Sequence, residues 1–245
     1  MALIKIELLK LRRARFWLPL LVLPLLSVVY GSVNFAGNIG VLKREWLSLW
    51  TQVYLFYGSF FFPGMIGIVC AYIWNSEHKR NSLKLLLTSA YSFSSIVWAK
   101  IIVAFGLILI SQLYFLSLYA ISGLLFKFEM AFPTPLLLWA ILASLFSVSL
   151  VAIQTYLSLR IKSFAPPVAL AMVIGVFGFI LTAQHIVPEL GYVLPFAKLA
   201  ASMNQMTAVN PEITSFEWLR LILYTVLLVL GASFLQIRHL KKIVS

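Results

Sequence analysis

The chain has 245 residues, 62% apolar and only 11% charged, with a mean hydropathy of +1.00 and a formal net charge of +12. Soluble domains devote about a quarter of their residues to charge, so this composition points to an integral membrane protein. All seven acidic residues are glutamates and no Gly-x-x-x-x-Gly-Lys-Ser/Thr loop occurs, so neither a phosphate loop nor a Walker B aspartate can be built from this chain. Any ATP-driven work involving it needs an ATPase on another polypeptide.

Residues 1–15 alternate Lys and Arg with Leu and Ile, placing Ile4, Leu8 and Leu11 on one side of a helix and Lys5 and Arg12 on another. This pattern predicts an interfacial helix against anionic lipid. No clear small-x-small cleavage site ends the long apolar run that follows, so the segment is expected to stay in the mature protein.

Crossing a bilayer takes about 20 mainly apolar residues. Six runs meet that need: 16–34, 47–74, 96–126, 135–159, 164–184 and 218–236. Six spans put both termini on one face. That face collects 14 of the 19 basic residues, and the two faces carry net charges of +12 and 0. The positive-inside rule assigns the charged face to the cytoplasm. Topology thus accounts for the basic pI, and nucleic acid is not called for. All seven tryptophans (Trp17, Trp46, Trp50, Trp74, Trp98, Trp139, Trp218) lie near proposed span ends, where a headgroup-level belt is expected.

Pro19, Pro24 and Gly31 in the first span, and Gly58, Pro63, Gly64 and Gly67 in the second, predict loosened helices that neighbours can approach closely. Ala140/Ser144 and Ala143/Ser147 repeat at helix-contact spacing in the fourth. No Lys, Arg or Glu falls in the middle of a span, which argues against an ion-coupled carrier. The polar residues there are neutral, among them Ser111, Gln112, Ser117 and Thr155. Asn34, Gln52, Ser59 and Gln154 are the candidates for a translocation path, although each also suits an ordinary interhelical hydrogen bond. A self-contained secondary carrier or channel for a small neutral solute remains the alternative.

Between the last two spans, 185–217 is too short and too interrupted to cross and return, so a re-entrant or interfacial helical pair is expected on the outer side. His185 and Glu189 are four apart with Pro188 between them, the three histidines (His78, His185, His239) are scattered, and Cys70 is the only cysteine. Neither a metal site nor a disulfide is expected, and no catalytic motif marks an enzyme.

The polar loop 75–92 holds the most informative pattern. Leu83, Leu86, Leu87 and Ala90 recur at helical spacing opposite Arg80, Lys84 and Thr88, which predicts a short amphipathic helix over 75–89. Ser76 is its expected cap, with Glu77 at the positive end of its dipole.

Together, Glu77, the pair Asn81-Ser82, the Leu-rich turn from Leu83 to Ser89, the Ser/aromatic segment after it and Lys100 resemble the coupling-helix region of ABC transporter type 2 permeases. The segment from Glu7 to Arg13 is similar to the elbow helix that begins such subunits. The chain departs from the usual Gly-Thr at Asn81-Ser82 and from the usual proline at Ala90. Chain length and the style of the coupling region look most like bacterial permeases that confer immunity to lantibiotics.

The resemblance implies one all-α polytopic transmembrane domain over 1–245. It would comprise an elbow helix at 1–15, six transmembrane helices, a cytoplasmic coupling helix at 75–92 and an external re-entrant segment at 185–217. It assigns ATPase coupling to Glu77, Lys79, Arg80, Leu83, Lys84, Leu86 and Leu87. It further implies a dimer of cytoplasmic ABC ATPase subunits holding ATP and Mg, with no cofactor on this chain. A second permease subunit, membrane lipid and an amphipathic peptide or lipophilic cargo complete the expected partners, in the bacterial cell membrane.

Overall fold

The computed structural model describes residues 2–11, 16–79, 82–183, 191, 194–203 and 213–244. Among these no strand occurs; the chain is a bundle of helices, as backbone placed in hydrocarbon requires. In order they are α1 (Ala2–Leu11), α2 (Trp17–Gly37), α3 (Glu45–Phe56), a π-helical turn (Tyr57–Phe61) and α4 (Phe62–His78). There follow α5 (Ser82–Leu87), α6 (Phe93–Leu125), α7 (Thr134–Phe146), α8 (Val148–Arg160), α9 (Ala165–Ala183), α10 (Pro195–Met203) and α11 (Ser215–Val244).

Five helical stretches are long and apolar enough to cross a membrane: Trp17–Gly37, Glu45–His78, Phe93–Leu125, Thr134–Arg160 and Ser215–Val244. A shorter apolar helix, α9, occupies the remaining run read from the sequence and opens on Pro166 and Pro167, which a helix tolerates in its first turn. His185 and Glu189 lie outside the described residues. Within 185–217, α10 packs against α7 and α9, burying Phe196, Leu199 and Met203. A capping box of Thr214 and Glu217 opens α11, and Glu217 also pairs with Lys198 of α10 at 2.9 Å.

Proline explains the middle of the bundle. Pro24 has no N–H for the Leu20 carbonyl one turn back, and the Ser111 hydroxyl of α6 donates to that oxygen at 2.8 Å. Pro63 likewise cannot serve the Ser59 carbonyl, and there the helix widens into the π turn, with the Phe62 N–H reaching Tyr57 O. Carbonyls around that turn find hydroxyls instead: Ser27 donates to Val53 O at 2.8 Å, and Ser59 folds back on Leu55 O. The Ser59 carbonyl faces Gly175 of α9, where an added Cβ would lie 2.7 Å from it and 2.4 Å from the Pro63 ring. Glycine thus sets how closely α9 and α4 can pack.

At the opposite end from α1, Trp46 is wedged among Tyr119, Phe128 and Phe132, with ring centroids 5.0 to 5.6 Å apart. Its indole donates to Met130 O at 2.9 Å, and the Glu45 carboxylate accepts from the Met130 backbone N–H at 2.8 Å. The loop between α6 and α7 is thereby clasped onto the start of α3. The tryptophans near the span ends differ in their surroundings: Trp46, Trp50 and Trp74 are buried inside the bundle, and Trp139 stacks on Trp218 at 5.4 Å. Trp17 is exposed. Proximity to a span end did not distinguish a residue facing headgroups from one facing neighbouring helices.

Two substitutions test this packing. Ser111→Ala leaves the Leu20 carbonyl unpaired in an apolar setting and should lower stability by about 1 kcal/mol. Gly175→Val must separate α9 from α4 and should cost about 1 to 3 kcal/mol. Both are read as shifts in the thermal unfolding of purified protein, with Gly106→Ala, where nothing stands near the added Cβ, as the neutral control.

Candidate functional site

The segment expected to form one amphipathic helix over 75–89 is divided. α4 continues past Trp74 to His78, so Asn75, Ser76 and Glu77 belong to its last turns, and the chain bends before the six residues of α5. Ser76 does not cap a helix; its hydroxyl donates to Ile73 O at 2.8 Å. Glu77 sits at the C-terminal end of a helix rather than at an N-terminal one. The cap that does form is Ser92, which accepts from the Ser95 N–H at 3.2 Å and starts α6.

Of the expected coupling residues, Leu83 and Leu87 are half-buried against the bundle and Leu86 is half-buried, whereas Lys79 and Lys84 are exposed. Arg80 lies outside the described residues, as does Asn81. Leu85, which the sequence pattern did not single out, is 72% exposed beside Lys84 and Thr88.

Glu77 is turned inward, with 2% of its surface exposed. It closes a cluster with Glu7 and Lys10 of α1 and Lys100 of α6. Lys10 Nζ donates to Glu77 Oε1 at 2.6 Å and to Glu7 Oε1 at 2.8 Å. Lys100 Nζ donates to Glu77 Oε1 and Glu7 Oε2, each at 2.9 Å, and lies 4.8 Å from the Trp74 ring centroid. Lys100 and Glu7 are also buried. Two cations and two anions therefore share one site, three of them desolvated and Lys10 about a third exposed, each held by at least two polar or aromatic partners.

The local sequence permits this because α4 and α6 are apolar until their ends meet α1. α1 itself is inverted relative to a soluble amphipathic helix: it buries Glu7 and Leu11 and exposes Ile6, Leu8 and Leu9. The side expected to carry Ile4, Leu8 and Leu11 is divided accordingly, with Leu11 buried and Leu8 exposed. Sequence reasoning missed the cluster, since its longest link spans 93 residues. The only local signal was Lys10 three residues after Glu7.

The path candidates are partly assembled. Asn34 Nδ2 donates to Gln52 Oε1, and Asn38 Nδ2 donates to Asn34 O at 2.8 Å. One turn inward, Tyr30 and Phe56 meet edge to face at 5.0 Å, and beyond them come the half-buried Ser59 and the exposed Phe60. Asn34, Gln52 and Ser59 thus lie along one open side of α2, α3 and the π turn, in a stripe of neutral polar and aromatic groups. Gln154 is elsewhere, fully buried on α8, and its amide has no hydrogen-bond partner among the described residues. Among the described residues no group of three His, Cys, Asp or Glu could hold a metal.

Lys10 lies outside the apolar spans. Burial alone would lower its pKa, but hydrogen bonds and attraction from Glu7 and Glu77 outweigh this and hold it above the ordinary value of 10.5. A lysine so raised contributes stability that is complete below pH 10.5 and is lost as pH rises through the raised value. Thermal stability should therefore fall with alkaline titration more steeply in the native chain than in Lys10→Met, measured across that window.

A family model described as ABC-2 family transporter protein matches residues 3–178, taking in the charge cluster, the π turn and the polar stripe. No curated protein and no solved structure matches the chain. The match covers most of the 245 residues, and it agrees with an all-helical bundle of apolar spans that holds no nucleotide-binding motif. The chain belongs to the ABC-2 transporter family: it is a multi-pass membrane permease subunit of an ABC transporter, a transport component that is not itself catalytic.

Proposed function

We propose that this permease crosses the bacterial cell membrane six times with both termini in the cytoplasm, and expels an amphipathic peptide of the lantibiotic type or a comparable lipophilic cargo. ATP and Mg reside on a separate dimer of cytoplasmic ATPases, and a second permease subunit completes the path. α1 is the elbow helix, the segment 75–92 docks the ATPase, and 185–217 is a re-entrant element on the outer side. The observation that carries the cargo assignment is the uncharged stripe of Tyr30, Asn34, Gln52, Phe56, Ser59 and Phe60. Aromatic faces with scattered neutral donors and acceptors suit a molecule that is apolar on one side and hydrogen-bonding on the other. Fixed charge, which a small ion would require, is absent from those six residues.

The ATPase assignment is supported by α5, whose half-buried leucines anchor it to α4 while Lys84, Leu85 and Thr88 face outward. Glu77 is a poor place to test docking, because Glu77→Lys would add a third cation to a buried cluster and destabilise the bundle. Lys84→Glu with Leu85→Glu is the cleaner variant. It should leave membrane abundance unchanged and weaken co-purification of the ATPase at least tenfold; full retention of the ATPase would refute docking through α5. Asn34→Leu with Gln52→Leu should leave ATPase binding intact and reduce cell survival under the peptide, whereas unaltered survival would remove the stripe from the path.

A further inference from the structure

We infer that the charge cluster of Glu7, Lys10, Glu77 and Lys100 joins α1 to the ends of α4 and α6 as one moving unit, in which Glu7, Lys10 and Lys100 are positioning residues for Glu77. The inference rests on the reading of this chain as an ATPase-driven permease. α1 has a limited apolar hold on the bundle, since Ile6, Leu8 and Leu9 face outward and only Leu11 is buried among its leucines. What it places inside is Glu7, which meets Lys100 of α6 at 2.9 Å, while Lys10 reaches Glu77 of α4 at 2.6 Å. Each carboxylate accepts from both ammonium groups, so no helix can leave without stripping partners from charges that stay buried.

Glu77 stands two residues before Lys79, where the chain leaves α4 for α5, and α5 is packed back onto α4. A displacement of that loop therefore reaches the last turn of α4, then Glu77, then Lys10 and α1. The rival account holds α1 through Leu3 and Ile4, which share a shallow cleft with Tyr91, Ser95 and Trp98 at the start of α6. Under that account the charges are incidental to where α1 lies.

Spin labels at Ala2→Cys and Ser95→Cys, on the two walls of that cleft, distinguish these accounts by distance measurement in nanodiscs; the native Cys70 is buried and stays unlabelled. Lys10 is the position to vary, because a third of its side chain is exposed and Lys100 pairs with both carboxylates without it. The native cluster and Lys10→Arg should each give one narrow distance distribution, and Lys10→Met a broad one. A narrow distribution in Lys10→Met overturns the proposal, and so does one as broad for Lys10→Arg as for Lys10→Met. Glu7→Gln gives the same reading from the anionic side and should also broaden the distribution. In the complex with its ATPase, Lys10→Met should keep ATP hydrolysis and lose transport at least tenfold, with Lys10→Arg restoring it; unimpaired transport beside a broad distribution overturns the positioning role. The distance measurement requires neither ATPase nor cargo, so a failure of the transport reading and a failure of the charge clamp are separately visible.

Discussion

Three charges buried at one end of an apolar bundle, Glu7, Glu77 and Lys100, with the part-exposed Lys10 closing over them, impose the constraint on which the rest of that end depends. Taking a carboxylate or an ammonium out of water is expensive, and only close pairing with several hydrogen bonds offsets it. Removing one of the three enclosed partners costs about 3 to 5 kcal/mol, because the surviving charge stays buried. Several local features follow from this requirement. α4 runs beyond its apolar stretch so that Glu77 can turn inward, Lys100 lies alongside Trp74, and α1 presents its glutamate to the bundle and its leucines outward. An N-terminal helix that looked merely basic is thus placed by its one acidic residue.

The centre of the bundle solves a different problem with neutral groups. Pro24 and Pro63 each leave a carbonyl without its helical donor, and the chain answers with a serine hydroxyl at one and a widened turn packed on glycine at the other. The hydroxyls of Ser27 and Ser111 end on backbone oxygens of neighbouring helices, so much of the buried polarity at this depth serves the helices themselves. Asn34 and Gln52 differ in that they bond to each other on an open side of the bundle, where a second molecule can reach them. That distinction separates structural polarity from polarity available for cargo.

Apolar runs were legible in the sequence because hydrocarbon accepts little else: five of the six expected spans fall on helical stretches long and apolar enough to cross, although the last of these runs on to Val244, eight residues past the end read. The family was legible too, through the order of Glu77, the leucine turn and Lys100. Contacts between distant segments were not. Lys100 read as the opening of a span, yet its partners lie 23 and 93 residues away. The helix expected over 75–89 failed because leucine spacing marks a face without marking where the backbone bends, and an inward-facing Glu77 kept the preceding helix going. Gln154 and Gln52 were indistinguishable as letters in apolar runs, and only packing shows that one is enclosed by α8 and its neighbours while the other lines an open side.

The cluster of Glu7, Lys10, Glu77 and Lys100 contains two charges of each sign and sums to zero. One uncompensated charge carried across a membrane potential involves about 2.3 kcal/mol for every 100 mV. A neutral quartet displaced as a body does no net electrical work, however far it travels along the field. A clamp made of charges can therefore pass movement between helices while remaining indifferent to the voltage across the membrane that surrounds it.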